Sequence, residues 1–207
     1  MYYLTYELQC SIIIPLWQRN GPQRILTKED PQLFDNLYPT KEIASAYSVP
    51  YESYYAMGKR GIIYDIDNTL VMHGAPADKR SIELFEKLRY IGFKTVLLSN
   101  NKEPRVKPFA DEVGSLYVYK AGKPSVKGYE KAMKLMGTTP DTTLFVGDQI
   151  FTDVWGANRA GIDTILTEPI DPREEIQIIL KRRLEWFILR AYHKKLKNGK
   201  KENTEKK

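Results

Sequence analysis

The chain has 207 residues, 42% of them hydrophobic, and a formal net charge of +6, which is room for one domain of ordinary size with appendages. Its single cysteine, Cys10, excludes an internal disulfide and a cysteine-built metal site, so a bound metal would need oxygen or histidine ligands. The basic excess gathers at one end, where residues 194–207 hold seven lysines against two glutamates, so attraction to anionic partners belongs more to a tail than to the core. No apolar segment approaches bilayer length, and the first residues lack the charged start and cleavage site of a signal peptide, so a cytoplasmic protein, at most peripheral to a membrane, is expected.

Residues 1–58 form a Tyr-rich arm without a sustained period. Residues 1–17 are apolar but broken by Pro15, Gly21 and Pro22 interrupt the chain again, and residues 33–56 carry Pro39, Pro50 and five tyrosines. The arm reads as irregular, packed on the core or on a partner.

From residue 59 to 170 strand and helix signals alternate. Apolar runs at 61–66, 94–98, 116–119, 143–146 and 163–166 read as strands. Between them, residues 77–91 place Ile82, Phe85, Leu88 and Ile91 at helical spacing before Gly92, residues 125–136 end on Gly137, and residues 152–160 end on Gly161. The alternation predicts an α/β fold, a parallel sheet with helices on both faces. Residues 171–207 read as a helix opened by Asp171, Pro172 and Glu174, with apolar residues from Ile176 to Tyr192 among Lys and Arg, and a disordered lysine-rich tail from Asn198.

In such a sheet ligands bind beyond the carboxyl ends of the strands. The first strand ends in Asp65 and Asp67, the second in Ser99, Asn100 and Asn101; Lys123 comes after the third, and Asp148 and Asp153 after the fourth. Asp65 and Asp67 should leave the strand on one side, where a cation or shared proton relieves their repulsion, although the same residues also suit a turn. Carboxylates, a hydroxyl, amides and an ammonium at one edge could hold a phosphate beside a hard cation such as Mg²⁺. Each group alone has a plainer reading as helix cap, solvated loop residue or turn. His73 and His193 lack metal-ligand spacing and read as surface residues.

Together the motifs Asp65-Ile66-Asp67-Asn68-Thr69-Leu70, Ser99-Asn100-Asn101, Lys123-Pro124 and Gly147-Asp148-Gln149-Ile150-Phe151-Thr152-Asp153 resemble those of the haloacid dehalogenase superfamily, and more narrowly its YqeG-type phosphatases, relatives of phosphatidylglycerophosphate phosphatases. The resemblance covers residues 61–167 and implies a Rossmann-like fold and a phosphomonoester hydrolase. It implies Asp65 as nucleophile and Asp67 as proton carrier. Mg²⁺ would be held by Asp65, the Asp67 backbone carbonyl and Asp148. Ser99, Asn100 and Lys123 would bind the phosphoryl group, Thr69 would support the turn, and Asp153 would order Lys123 or metal-bound water.

The intervals 69–99 and 101–123 have no room for a cap domain, which within that superfamily goes with an open site and a large substrate: a protein, a nucleic acid or a lipid head group. The C-terminal helix could lie at a membrane surface, could serve RNA or a protein partner through its tail, or could pack on the core; Ile178, Trp186 and Leu189 widen its stripe and favour packing. A competing reading is a binding or regulatory module of the same fold, working with a GTPase, ribosome or RNA.

Overall fold

A computed structural model of the chain describes residues 35–171 and 176–205, with side chains at 35–171 and 183–197. The apolar stretch 1–17, Cys10 and the helix start at Pro172 and Glu174 lie outside the described residues. Among those, six strands form one sheet: β1 (Lys41–Ile43), β2 (Gly61–Tyr64), β3 (Lys94–Leu98), β4 (Leu116–Val118), β5 (Thr143–Gly147) and β6 (Asp163–Thr167). Their order is β1-β6-β5-β2-β3-β4 and every pairing is parallel. The helices are α1 (Tyr51–Ala56), α2 (Lys79–Ile91), α3 (Glu103–Val113), α4 (Val126–Met136), α5 (Trp155–Arg159) and α6 (Ile176–Glu205).

The continuous apolar runs are buried on both faces, as a parallel sheet between helices requires. Ile62 and Tyr64 of β2, Leu97 of β3 and Leu144 and Val146 of β5 meet Phe85 and Leu88 of α2 and Phe109 of α3 on one face. Ile63, Val96, Leu98 and Phe145, the alternate residues, meet Tyr129, Met133 and Met136 of α4 and Ala157 of α5 on the other. Burying each such phenylalanine stabilises the fold by about 1.5–3 kcal/mol. Gly92 and Gly137 end α2 and α4 in the left-handed region, at φ 107° and 67°, where a side chain would be strained. Between β2 and β3 there is a turn and α2, and between β3 and Lys123 there are α3 and β4, so neither interval contains a cap domain.

The region read as an irregular arm departs from that reading between residues 41 and 56. Lys41–Ile43 is the edge strand β1, paired with β6, and α1 comes after it. Three residues, two of them charged, give no apolar period; the strand is held by its backbone and by two threonines. Thr40 N–H donates to Thr164 Oγ1 and Thr164 N–H to Thr40 Oγ1, both at 3.0 Å. Tyr51 is buried, with its hydroxyl on the Ala46 carbonyl at 2.6 Å and its ring tilted against Tyr64 and edge to face with Phe93. The segment expected as the helix 152–160 begins instead as a π-helical turn, Ile150–Val154, that runs into α5. The backbone of α6 stays helical to Glu205, past the point where disorder was expected. Among the described residues no helix is long and apolar enough to cross a membrane.

Thr164 is buried, and its hydroxyl also donates to Asn158 Oδ1 at 3.2 Å. Thr164→Val keeps the shape but strands the Thr40 N–H and the Asn158 acceptor, so stability should fall by about 1–3 kcal/mol. The urea midpoint, at unchanged slope, reads this, and an unshifted midpoint would show that the clasp contributes nothing.

Candidate active site

The hydrogen-bond ladder of β2 continues one residue past Tyr64, with Asp65 N–H donating to the Val146 carbonyl at 3.0 Å, which aims Asp65 out of the sheet beside the end of β5. There its Oδ1 accepts from Lys123 Nζ at 2.6 Å, and the same ammonium reaches Asp153 Oδ1 at 2.7 Å. All three side chains are buried, that of Lys123 only 4% exposed. Asp148, also buried, completes a group in which one oxygen each of Asp65, Asp148 and Asp153 lie within 4.8 Å of one another. Three carboxylates against one ammonium leave an excess of negative charge shielded from water, and a donor set made only of carboxylate oxygen fits a hard divalent cation that would offset it.

The two aspartates expected on one side of the strand end divide. Asp67 is outside the carboxylate group; its Oδ1 accepts from Arg105 Nη2 at 2.7 Å and from Gly74 N–H at 2.8 Å, and its Oδ2 from Asn101 Nδ2 at 2.7 Å. Just past Asp67 the chain turns at Asn68 in the left-handed region, at φ 64°, a conformation that asparagine tolerates. Thr69 then does more than support the turn, because its hydroxyl donates to Asp148 Oδ1 at 3.2 Å.

Ser99, at the end of β3, is buried, and its Oγ accepts from Asn101 N–H at 3.1 Å, which leaves its proton available to donate. Asn100 takes Lys123 from both sides of the backbone, accepting from its N–H at 2.7 Å and donating to its carbonyl at 3.2 Å. The Asn100 amide thus holds the loop with its oxygen and one of its two N–H groups, which leaves its second N–H and its backbone to meet an anion. The peptide between Lys123 and Pro124 is cis. Gly147 is required by crowding: a Cβ there would stand 2.6 Å from Asp153 Oδ2. Tyr129 of α4 fastens the same loop, its hydroxyl donating to the Thr152 carbonyl at 2.8 Å.

Burial pushes the Asp65 carboxyl up to about 7, with Lys123 pulling it down and Asp153 and Asp67 adding to the rise. Burial also works against the Lys123 ammonium, but Asp153 and Asp65 outweigh it and hold that group above the ordinary lysine range. His73 is exposed and His193 pairs with Glu42 at 2.8 Å, so neither stands in the carboxylate group.

The structure thus brings Asp65, Lys123, Asp148 and Asp153 into one group, with Thr69 fastening Asp148, and sets Asp67 beside them on a separate set of donors. Two contributors were not foreseen. Arg105 lies one helical turn past Asn101, a spacing that could have suggested a shared target. Glu185, whose Oε1 accepts from Ile150 N–H at 2.7 Å, sits in a helix whose local sequence reads only as basic and amphipathic. Asp148 and Glu185 line a common cleft of about 500 Å³ with Ile43, Leu166, Pro169 and Trp186.

A family model described as haloacid dehalogenase-like hydrolase matches residues 75–161. The Bacillus subtilis protein named probable phosphatase YqeG is 36% identical over 158 residues, which cover 76% of this chain and 92% of that protein. Phosphatidylglycerophosphate phosphatase 1, chloroplastic/mitochondrial, of Arabidopsis thaliana is 30% identical over 151 residues, 67% of this chain and 43% of that protein. Among solved structures, the cobalt-bound deoxy-D-mannose-octulosonate 8-phosphate phosphatase YrbI of Haemophilus influenzae aligns at 17% identity and a TM-score of 0.46, covering 65% of this chain and 89% of that one.

In protein stripped of metal by a chelator, the raised Asp65 binds its proton more tightly folded than unfolded. Stability should therefore fall as pH rises from about 4, the unfolded value, to about 7, and level off above. Urea midpoints across that range should show the decline, and Asp65→Asn should flatten it. A wild-type profile that rises over the same interval would contradict the charge balance of the site.

Proposed function

We propose, on the premise that the chain belongs to the haloacid dehalogenase-like hydrolase family and is one of its phosphatases, that it hydrolyses a phosphomonoester in two steps through a phosphoryl group carried on Asp65. The observation that carries this reading is the buried ammonium of Lys123, 2.6 Å from Asp65 and 2.7 Å from Asp153, with Asp148 beside them.

In the first step an Asp65 oxygen attacks phosphorus, the bond to the leaving oxygen breaks, and Asp67 gives that oxygen its proton. In the second step Asp67 takes a proton from water, whose oxygen attacks the same phosphorus and returns Asp65 as a carboxylate. Arg105, Asn101 and the Gly74 backbone keep the Asp67 carboxylate in one place between the two transfers. Ser99 donates to a phosphoryl oxygen, the Asn100 backbone stands beside it, and Lys123 neutralises charge as the transition state forms. Asp65, the Asp67 backbone carbonyl and Asp148 would hold Mg²⁺, which would supply positive charge to the phosphoryl oxygens. Asp153 keeps Lys123 in place rather than binding the metal itself.

The substrate this reading favours is the phosphomonoester head group of a lipid such as phosphatidylglycerophosphate, met at a membrane surface. It is supported by the name of the Arabidopsis relative, by the lack of a cap domain between β2 and β3 or between β3 and Lys123, and by α6. The helix packs Ile188 and Glu185 inward but leaves Trp186 and Phe187 53% and 63% exposed, edge to face with ring centres 5.0 Å apart. Packing on the core and an exposed apolar face are therefore both present in the one helix. Arg183 stands three residues before Trp186, Arg190 lies over its ring at 5.2 Å, and Lys194 is one turn further on, the pairing of aromatic and basic residues that suits an anionic interface.

A phosphate-release screen tests both levels, comparing an aryl phosphate, phosphatidylglycerophosphate in mixed micelles, nucleotides, sugar phosphates and phosphopeptides. Wild-type protein with Mg²⁺ should release phosphate from the aryl ester and the lipid. Asp65→Asn should reduce release to roughly a thousandth or less, the scale on which a nucleophile's loss is felt. Undiminished activity in that variant sinks the mechanism. Turnover of another substrate class with none of the lipid removes the lipid assignment alone.

A further inference from the structure

Along the outward face of α6, Leu184, Trp186 and Phe187 are exposed, yet Glu185 among them is only 5% exposed. A carboxylate kept from water is costly unless its lone pairs are engaged, and a leucine would fill the same space without that cost. The Glu185 carboxylate accepts from Ile150 N–H at 2.7 Å, a contact buried between residues 35 apart in the chain. Ile150 opens the π-helical turn whose fourth residue is Asp153, and it lies two residues past Asp148. The Glu185 contact thus falls between two carboxylates of the site. One turn further along α6, Ile188 is buried with Ile150, Val154 and Leu166, so the helix is seated directly under this loop.

We propose that Glu185 is a positioning residue of the active site. Through the Ile150 N–H it fixes the loop that carries Asp148 and Asp153, so that the C-terminal helix completes the metal-binding group. It works as a hydrogen-bond acceptor and not as a metal ligand, because it stands outside the carboxylate group formed by Asp65, Asp148 and Asp153. The inference rests on Asp65 and Asp148 being metal ligands. Groups hydrogen-bonded to metal ligands commonly govern metal affinity about 10- to 100-fold, and Glu185 acts on one such ligand, Asp148, through the loop that carries it.

The test compares Mg²⁺ affinity by titration calorimetry in full-length wild type, Glu185→Leu, Glu185→Gln and Ile188→Ala, with kcat and KM measured at saturating Mg²⁺. Glu185→Leu fills the space but cannot accept, and should weaken Mg²⁺ binding about 10- to 100-fold. Glu185→Gln retains an acceptor oxygen and should stay within about threefold of wild type. Ile188→Ala should lower the urea midpoint yet leave Mg²⁺ affinity near wild type. Restoring saturation with Mg²⁺ should recover most of kcat in Glu185→Leu and leave KM for the ester little changed. Wild-type affinity in Glu185→Leu overturns the proposal, as does a Gln variant as weak as the Leu one, which would assign the effect to charge. Equal loss in Ile188→Ala would assign it to packing and also overturn it. Amide exchange at Ile150, faster in Glu185→Leu than in Glu185→Gln, is the second readout. If wild type itself binds no divalent cation, the metal reading has failed and takes this inference with it; if wild type binds and Glu185→Leu is unaffected, only Glu185 has failed.

Discussion

The ammonium of Lys123, closed off from water between Asp65 and Asp153, is the contact on which the rest of the site depends. An ion pair in that position gains from low dielectric only if its geometry is held closely, because the groups have given up their hydration. The surrounding contacts supply that hold. Asn100 grips the backbone on either side of the Lys123 side chain, Gly147 lets Asp153 approach, Tyr129 fastens the loop from below, and Thr69 steadies Asp148. None of these residues is rigid by itself. Each is fixed because the strand before it is paired in the sheet: β2 sits between β5 and β3, so the ends that carry Asp65, Ser99 and Asp148 are brought together by the sheet order alone.

The same arrangement explains how two aspartates one residue apart acquire different surroundings. Asp65 remains in the hydrogen-bond register of the sheet and shares the buried charge group. Asp67 lies past the end of that register and is taken up by α3 through Arg105 and by the Asn101 amide. A buried carboxylate beside a cation and a slightly more exposed one among neutral and cationic donors meet different electrostatic surroundings, as the proposed division of roles requires.

How much could be read from residues alone depends on how local each signal is. The central strands were legible because burial on both faces forces an unbroken apolar run, as in Ile62, Ile63 and Tyr64 or Leu144, Phe145 and Val146. Asp65, Ser99 and Asp148 were legible because each directly ends such a run, whereas Lys123 lies in the loop between β4 and α4. The strand β1 was not, because an edge of three residues with Lys41 and Glu42 has no run to show and is held by backbone and threonine contacts with partners 124 residues away. Arg105 and Glu185 escaped for the same reason: each acts on a loop from a helix whose own periodicity describes only its packing. In α6 the wide apolar stripe favoured burial, whereas the helix buries Ile188 and leaves Trp186 and Phe187 outside. Breadth of a stripe does not say how much of it finds a partner.

The pairing of β1 with β6 has a consequence for how the molecule is assembled. The five strands from β2 to β6 succeed one another in the chain with a helix or turn between, and the longest of their pairings, β2 with β5, joins Gly61 to Thr143. β1 meets β6 across a span of 124 residues, the longest closure in the sheet. During synthesis the first of these strands to emerge must wait for the last. Until β1 docks, β6, which carries the buried Ile165, presents an open hydrogen-bonding edge to any extended segment nearby. A short strand that contributes little to the core therefore acts as a cover, replacing the five-residue edge of β6 with one of three residues that carries Lys41 and Glu42.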